Sequence, residues 1–427
     1  MIEDVSAGDV TDVFVISHGW KGDTPAAGEQ YDAWVGRMAA QTADIAAFRI
    51  RDPGLRPLVV GLHWPSLPWG DERLPEESAD GLLGEATGTG GEATGTEDEA
   101  ELDRLVDSYA ARTADTPAAR TALRTILAAD VGGTQLDPRL EHAYLTLFDE
   151  TSLASGTSVA APGDDQEGFD PRAIIDEAAD GVGVSMQGPA PTAPGLLGVE
   201  RRRPAIDLLR TPLRQLSFWS MKKRGREFGE SGAHRLVVAL QTASPAVRVH
   251  LMGHSFGCIV VSGAVVGPPG GSGPARPVQT LYLVQGAMSL WSFGDDVPHE
   301  RGAVGYFRRI LADGLVEGPL VTTRSVHDTA LGVHYPRGAQ VAGHLLLGEE
   351  FPAFGALGTF GAQGVAGAAD AELKPPHEDY SFAPGSVWNL DASHVVSRGS
   401  GPSGAHSDLD HDELAHAFWQ AALTTTP

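Results

Sequence analysis

The segment from Val247 to Val266 constrains the fold of this chain more than any other. Val247, Val249 and Leu251 alternate with polar residues, which is the period of a β-strand. The run stops at Gly-His-Ser-Phe-Gly (residues 253–257), and a small, apolar stretch without proline follows as far as Val266. A buried strand, a sharp glycine-flanked turn and a buried helix are therefore predicted in succession.

The turn places Ser255 in a G-x-S-x-G pattern. Glycines on both sides of a serine permit a sharp strand-to-helix turn, which lifts the hydroxyl clear of the backbone and points amides at the helix start toward a reacting oxygen. In a chain with 53 glycines the pattern alone is weak. The strand before it and the helix after it strengthen it, and Ser255 is predicted to be a nucleophile.

The composition is that of a globular protein: 427 residues, 42% hydrophobic and 20% charged, enough for a large core or two domains. A net charge of −25 disfavours binding to nucleic acid or to an anionic membrane surface. Neither a transmembrane segment nor a signal peptide is predicted. The single cysteine, Cys258, does not point to an oxidising compartment, so a cytoplasmic protein is expected.

Apolar strands alternate with helical patterns along most of the chain, which predicts an α/β fold with a mostly parallel, doubly wound sheet. Besides the strand at Val247, strands are predicted at residues 11–17, 57–65, 278–285, 320–326 and 386–396. Helices are predicted at residues 30–48, 306–311 and 412–423, and a long one at 206–240 is interrupted near residues 229–232.

The stretch from residue 69 to residue 204 has a different character. It holds a low-complexity repeat (residues 84–96), helical patterns (98–129 and 138–148) and a stretch rich in Gly, Asp and Pro (156–194). We interpret residues 69–204 as an inserted, mainly helical cap. Residues 1–68 and 205–427 are then the core domain.

A serine nucleophile needs a base within hydrogen-bond reach, and a histidine base needs a carboxylate to fix its tautomer. Asp328 follows a predicted strand, at the edge where α/β sheets place their sites, and is the first candidate for the acid. Asp295 and Asp296, after the preceding strand, are the alternative. His406, in the loop before the last helix, is the candidate base, whereas His394 lies within a strand pattern and is interpreted as structural.

Two backbone amides are predicted to hold the negative oxygen of the reaction, those of Trp20, in the loop after the first strand, and Phe256. His18, Trp64 and Trp291 are predicted to bind substrate, because aromatic side chains near the carboxyl ends of strands suit an apolar acyl or aromatic group. The alternative is that several of these rings simply pack beneath the cap.

The acidic run before the last helix also suggests a metal site. The alternating aspartates from Asp408 to Asp412 imitate the start of a calcium loop, but Glu413 stands where that loop needs glycine. An acidic helix start, which the helix dipole favours, explains the run better. No metal is predicted.

These features resemble those of the α/β-hydrolase superfamily: His18-Gly19-Trp20 after an early strand, the turn at residues 253–257, and the order Ser255, Asp328, His406. The resemblance covers about residues 10–64 and 208–423. It implies an eight-stranded, mostly parallel sheet, no cofactor, and acyl transfer to water. In that superfamily insertions usually follow the sixth strand, whereas here the large insertion precedes the nucleophile turn.

We therefore expect a carboxylesterase or lipase-like serine hydrolase that works through an acyl-enzyme. The resemblance does not fix its substrate, and the aromatic side chains favour a small apolar acyl or aromatic ester. A thioesterase or acyltransferase would use the same three residues. A hydrolase fold that binds partners without catalysis is the alternative from another class. The sequence leaves the physiological substrate and the oligomeric state open.

Overall fold

A computed structural model of the chain describes residues 1–20, 24–66, 95–129, 136–153, 161–165, 168–176, 203–298, 300–328, 351–399 and 404–425. Seven strands form one sheet: β1 (Asp12–Ser17), β2 (Pro57–Leu62), β3 (Arg248–His254), β4 (Thr280–Val284), β5 (Leu320–Arg324), β6 (Ala369–Glu372) and β7 (Val387–Asp391). Every neighbouring pair is parallel, in the order β2-β1-β3-β4-β5-β7-β6.

The helices are, in chain order, α1 (Ile2–Ser6), α2 (Thr24–Ala40), α3 (Thr42–Arg51), α4 (Gly95–Ala110), α5 (Pro117–Leu127), α6 (Pro138–Glu150), α7 (Arg203–Phe228), α8 (His234–Ala243), α9 (Gly257–Val266), α10 (Arg309–Ala312), α11 (Leu357–Phe360) and α12 (Asp412–Leu423). A π-helical turn, Gly229–Ala233, joins α7 to α8. No helix in the described ranges has the length and apolarity needed to cross a membrane.

The chain divides into two compact units. The first comprises Met1–Ser66, Gly156–Glu167 and Lys222–Pro427 and contains the whole sheet. The second comprises Leu67–Ser155 and Gly168–Met221, and its described helices include α4, α5 and α6. Trp69, the repeat from Gly84 to Thr94 and most of the predicted loop at 156–194 lie outside the described residues.

Apolar side chains cover the sheet on both faces. On β1, Phe14 and Ile16 belong to a core cluster that also contains side chains of α2, α3 and α12. The alternating positions Val13 and Val15 are equally buried and point to the opposite face, because successive side chains of a strand alternate. The apolar helix α9 packs against β1, β3 and β4. Strands buried on both faces are typical of parallel sheets.

The predicted α/β class is therefore confirmed as a parallel sheet with packed helices. Two details differ from the sequence prediction. The helix predicted at 30–48 is interrupted at Gln41, giving α2 and α3. The long helix predicted at 206–240 is not broken near residue 229, because a π-helical turn carries the chain on into α8.

Two further differences concern the last strands. The strand predicted at 386–396 ends at Asp391, so His394 lies exposed in the turn that follows. The edge strand β6 is not among the strands that the sequence predicts. Its sequence, Ala-Asp-Ala-Glu, has no strand propensity, and its extended form depends on pairing with β7.

A buried polar network lies at the amino ends of β1 and β3. Arg248 makes two charged hydrogen bonds to Asp12, of 2.7 and 2.6 Å, and one of 2.5 Å to Asp52. His250 lies between Asp12 (3.1 Å) and the Thr280 hydroxyl (3.1 Å). Burial by itself raises the pKa of Asp12, but hydrogen bonds from His250 and Arg248 outweigh it and lower the pKa to about 2.

We expect this network to set the acid stability of the sheet. The pKa of Asp12 is lower in the folded chain than in the unfolded one, so its contribution is present above about pH 4 and is lost toward pH 2, about 2 kcal/mol in all. Burial also lowers the pKa of His250. This adds a loss of stability as the pH falls below the pKa that His250 has in the unfolded chain.

Asp12→Asn should lower the free energy of unfolding by about 3 kcal/mol at pH 7 and make it less dependent on acid pH, as measured by urea unfolding.

Asp410→Asn is the matched control. Asp410 pairs with Arg37, but its side chain is 61% exposed, so the substitution should cost less than about 1 kcal/mol. An equal loss of unfolding free energy in Asp12→Asn and Asp410→Asn would contradict the role given to the buried network.

Candidate active site

Ser255 follows β3 directly and has a backbone φ of 56°, a left-handed conformation that side chains other than glycine rarely adopt. Its amide donates to the Val284 carbonyl (3.1 Å), and its carbonyl accepts from Cys258 (3.1 Å) and Ala287 (3.2 Å). Both backbone groups of the residue are therefore bonded to neighbouring elements. This bonding fixes the serine in its strained conformation at the carboxyl edge of the sheet.

Three glycines allow other backbone segments to approach this turn. A Cβ at Gly253 would lie 2.4 Å from the Gly257 carbonyl oxygen, and one at Gly257 would lie 2.2 Å from the Ser17 carbonyl oxygen. A Cβ at Gly19 would lie 2.7 Å from the Ser255 Cβ. Side chains at these positions would push the strand, the helix and the loop after β1 apart, so the glycines keep the three segments together.

The Ser255 hydroxyl contacts His406, which in turn contacts Asp328. His406 Nε2 is 2.8 Å from Ser255 Oγ, and His406 Nδ1 is 2.8 Å from Asp328 Oδ2. The Asp328 side chain is fully buried and that of His406 is 12% exposed. The structure thus brings together the three residues that were predicted as nucleophile, base and acid.

The loops that carry Asp328 and His406 are joined to each other. The Ala405 amide donates to the His327 carbonyl (2.9 Å), which links the residues adjacent to His406 and Asp328. The Ser325 hydroxyl donates to the Val396 carbonyl (2.7 Å) and ties the acid's loop to the turn after β7. The relay therefore has backbone support as well as its own hydrogen bonds.

Asp408 braces the base's loop on its other side. One carboxylate oxygen accepts from the amides of Ser397 (3.0 Å) and Arg398 (2.8 Å), and the other lies 2.9 Å from His411 Nε2. Asp410 and Asp412, from the same acidic run, bond to Arg37. These aspartates therefore hold the loop and the start of α12 in place.

Trp20 and Phe256, whose amides were predicted to hold the negative oxygen, contact each other through their rings. Phe256 comes directly before α9, Trp20 follows the close approach at Gly19, and their rings stack with centroids 5.9 Å apart. The structure therefore places both residues next to Ser255. Their part in holding an oxyanion stays a prediction.

The three residues predicted to bind substrate are buried. His18 and Trp64 are fully buried and stacked, and the Trp64 indole N–H donates to the His18 carbonyl (3.1 Å). Trp291 is 3% exposed and its indole N–H donates to the Pro352 carbonyl (3.1 Å). Both indoles thus support loops at the carboxyl edge of the sheet, and contact with substrate stays a prediction.

The alternative acids lie elsewhere. Asp295 and Asp296 are exposed, and Asp295 is 2.8 Å from the guanidinium of Arg308. His394, which was interpreted as a structural residue of a strand, is exposed in its turn. Of the candidates considered, Asp328 and His406 are the pair next to Ser255.

Sequence reasoning missed His254 and Gln30. His254 Nε2 is 3.0 Å from the carbonyl oxygen of His406, and His254 Nδ1 is 3.2 Å from Gln30 Nε2. The position of His254, one residue before Ser255, was a signal that could have been used. Gln30 lies 224 residues away along the chain, and nothing in its local sequence marks it.

Comparisons of the chain with models of protein families, with curated proteins and with solved structures gave no match. Any assignment of function therefore rests on the geometry of the side chains at this site.

The strained turn leads to a prediction about stability. Ser255→Gly should be more stable than Ser255→Ala by about 1 kcal/mol, because glycine adopts a positive φ without a steric penalty. Both substitutions remove the same hydroxyl, so the loss of its hydrogen bond cancels in the comparison. Urea unfolding of the two variants measures the difference.

Ser262, buried within α9, provides a control of opposite sign. Ser262→Gly should be less stable than Ser262→Ala by about 1 kcal/mol, as is usual inside a helix. If the alanine variant is more stable than the glycine variant at both positions, Ser255 is not strained.

Proposed function

We propose that this chain is a serine hydrolase that cleaves a carboxylic ester through an acyl-enzyme intermediate. The observation that supports the proposal most strongly is the continuous hydrogen-bonded chain from Ser255 Oγ through His406 to Asp328, with both bonds at 2.8 Å. A serine hydroxyl needs such a base to become a nucleophile, and the base needs the carboxylate to orient it.

In the proposed first step, the Ser255 oxygen attacks the ester carbonyl carbon while His406 Nε2 takes the hydroxyl proton. The Nδ1–H of His406 donates to Asp328, whose negative charge stabilises the imidazolium that forms. The carbonyl oxygen becomes negative and accepts from the backbone amides of Trp20 and Phe256. Removing one such donor typically costs about 100- to 1000-fold in rate.

The tetrahedral intermediate then expels the alcohol, which takes the proton from His406 Nε2, and Ser255 is left acylated. A water molecule gives a proton to His406 and attacks the acyl carbon. Collapse of the second intermediate releases the carboxylic acid and returns the proton to Ser255. His406 serves as base and acid in turn, and the chain supplies every group that these steps require.

The proposal places the chain in the α/β-hydrolase class. The strand order and the positions of Ser255, Asp328 and His406 after β3, β5 and β7 support this, since sites of α/β sheets lie at the carboxyl ends of strands. The resemblance implied eight strands, whereas the described residues form seven. We propose the second unit as the inserted cap, because it interrupts the first unit between β2 and β3.

Labelling with a fluorophosphonate tests the proposal directly, because the reagent modifies only an activated serine. Wild-type protein should be labelled at Ser255, and Ser255→Ala should not.

His406→Ala should lower the rate of p-nitrophenyl ester hydrolysis by about 10,000-fold or more, since members of a triad act as a unit.

His394→Ala is the control for His406→Ala, because it removes an exposed histidine from the neighbouring turn and should leave the rate unchanged. Circular dichroism checks that each variant is folded. An unlabelled wild-type protein would point instead to a binding module with a hydrolase fold. Normal turnover by His406→Ala would assign the role of base to another histidine.

The pair of stacked rings beside Ser255 predicts a preference for apolar or aromatic esters. Trp20→Ala should lower kcat/KM for a p-nitrophenyl ester of a medium-length acyl chain about tenfold more than for p-nitrophenyl acetate, because apolar contact is lost. Trp388→Ala, on β7, should reduce both rates equally or not at all. Equal effects of Trp20→Ala on the two esters would exclude Trp20 from substrate contact.

A further inference from the structure

His254 joins the nucleophile's turn to the loop of the base. It is the last residue of β3, directly before Ser255, and is 2% exposed. Its Nε2 lies 3.0 Å from the backbone carbonyl oxygen of His406, and the two imidazole centroids are 4.9 Å apart. The ring of Trp34 packs edge-to-face against it at 6.1 Å. The imidazole therefore lies between α2 and the loop of the base.

Two hydrogen-bond partners of the ring indicate its protonation. A carbonyl oxygen only accepts hydrogen bonds, so Nε2 carries a proton. Gln30 presents its amide nitrogen, a donor, to Nδ1, so Nδ1 accepts and carries none. The result is a neutral ring with the proton on Nε2. The opposite orientation of the amide would require a charged ring beside His406, where a second positive charge would oppose the imidazolium formed in the reaction.

We propose that His254 is a positioning residue for His406, an inference that rests on the proposed function. The donated proton of His254 fixes the backbone of the base relative to the turn that carries the nucleophile. Ala405 ties the same loop to the acid through the His327 carbonyl. The base is thus held to Ser255 on one side and to Asp328 on the other, by bonds that do not involve its reacting nitrogens.

His254→Met and His254→Gln form a matched pair. The two side chains are unbranched and similar in length, but only glutamine places an N–H donor the same number of bonds from Cα as Nε2. His254→Met should lower kcat for p-nitrophenyl ester hydrolysis by about 10- to 100-fold and leave KM within about threefold, because a misplaced base slows chemistry without weakening binding. His254→Gln should recover most of the rate.

A second measurement does not depend on activity. In protein labelled with ¹⁵N-histidine, the NMR signals of His254 should show a protonated Nε2 and an unprotonated Nδ1 near neutral pH. The signals are assigned by their loss in His254→Gln. A proton on Nδ1 with none on Nε2 would overturn the proposal, because the bond to the His406 carbonyl could then not form.

The outcomes separate this inference from the proposed function. If wild-type protein is labelled by fluorophosphonate at Ser255 and His254→Met matches its rate, the hydrolase stands and the positioning role fails. If wild-type protein is not labelled, the hydrolase fails, and the NMR signals still test the bond itself. Exposed His394, replaced by methionine, controls for the loss of a histidine and should leave kcat unchanged.

Discussion

The left-handed conformation of Ser255 is the constraint on which the rest of the site depends. Only two residues separate the end of β3 from the start of α9, and the turn brings the backbone of Gly257 against the carbonyl of Ser17 at the end of β1. The serine is held in place because its amide donates to the Val284 carbonyl of β4 and its carbonyl accepts from the Ala287 amide in the following loop. Since β1, β3 and β4 are adjacent and parallel, the sheet itself fixes the position of the hydroxyl.

The remaining two members of the relay come from loops that the sheet alone does not fix. Asp328 lies four residues beyond the end of β5, and His406 lies well beyond β7. Their positions depend on links between the loops, through Ala405 and the His327 carbonyl, and on the carboxylate of Asp408, which caps the amides of Ser397 and Arg398. A rigid turn for the nucleophile and braced loops for the other two residues give the 2.8 Å bonds.

The sequence was informative where structure is local. The strand before Ser255 and the helix after it follow from their own apolar patterns, and the strands that precede Asp328 and His406 could be predicted in the same way. The strand β6 could not be predicted from its own sequence, because this polar segment becomes extended only by pairing with β7. The contact between Gln30 and His254 could not either, because it joins a helix and a strand far apart in the sequence. Likewise, the burial of Trp64 depends on neighbours far along the chain, His18 and Gly225 among them.

A histidine bonded to an aspartate is not distinctive in this protein. His250 bonds to Asp12 and His416 to Asp44, as His406 does to Asp328. What differs is the group that faces the second ring nitrogen. For His416 it is the Glu378 carbonyl, which has no proton to give, and for His250 it is the hydroxyl of Thr280, within a regular strand and fully buried. At His406 it is a hydroxyl on a strained turn at the carboxyl edge of the sheet, and that combination is the reason that we propose His406, and neither His250 nor His416, as a catalytic base.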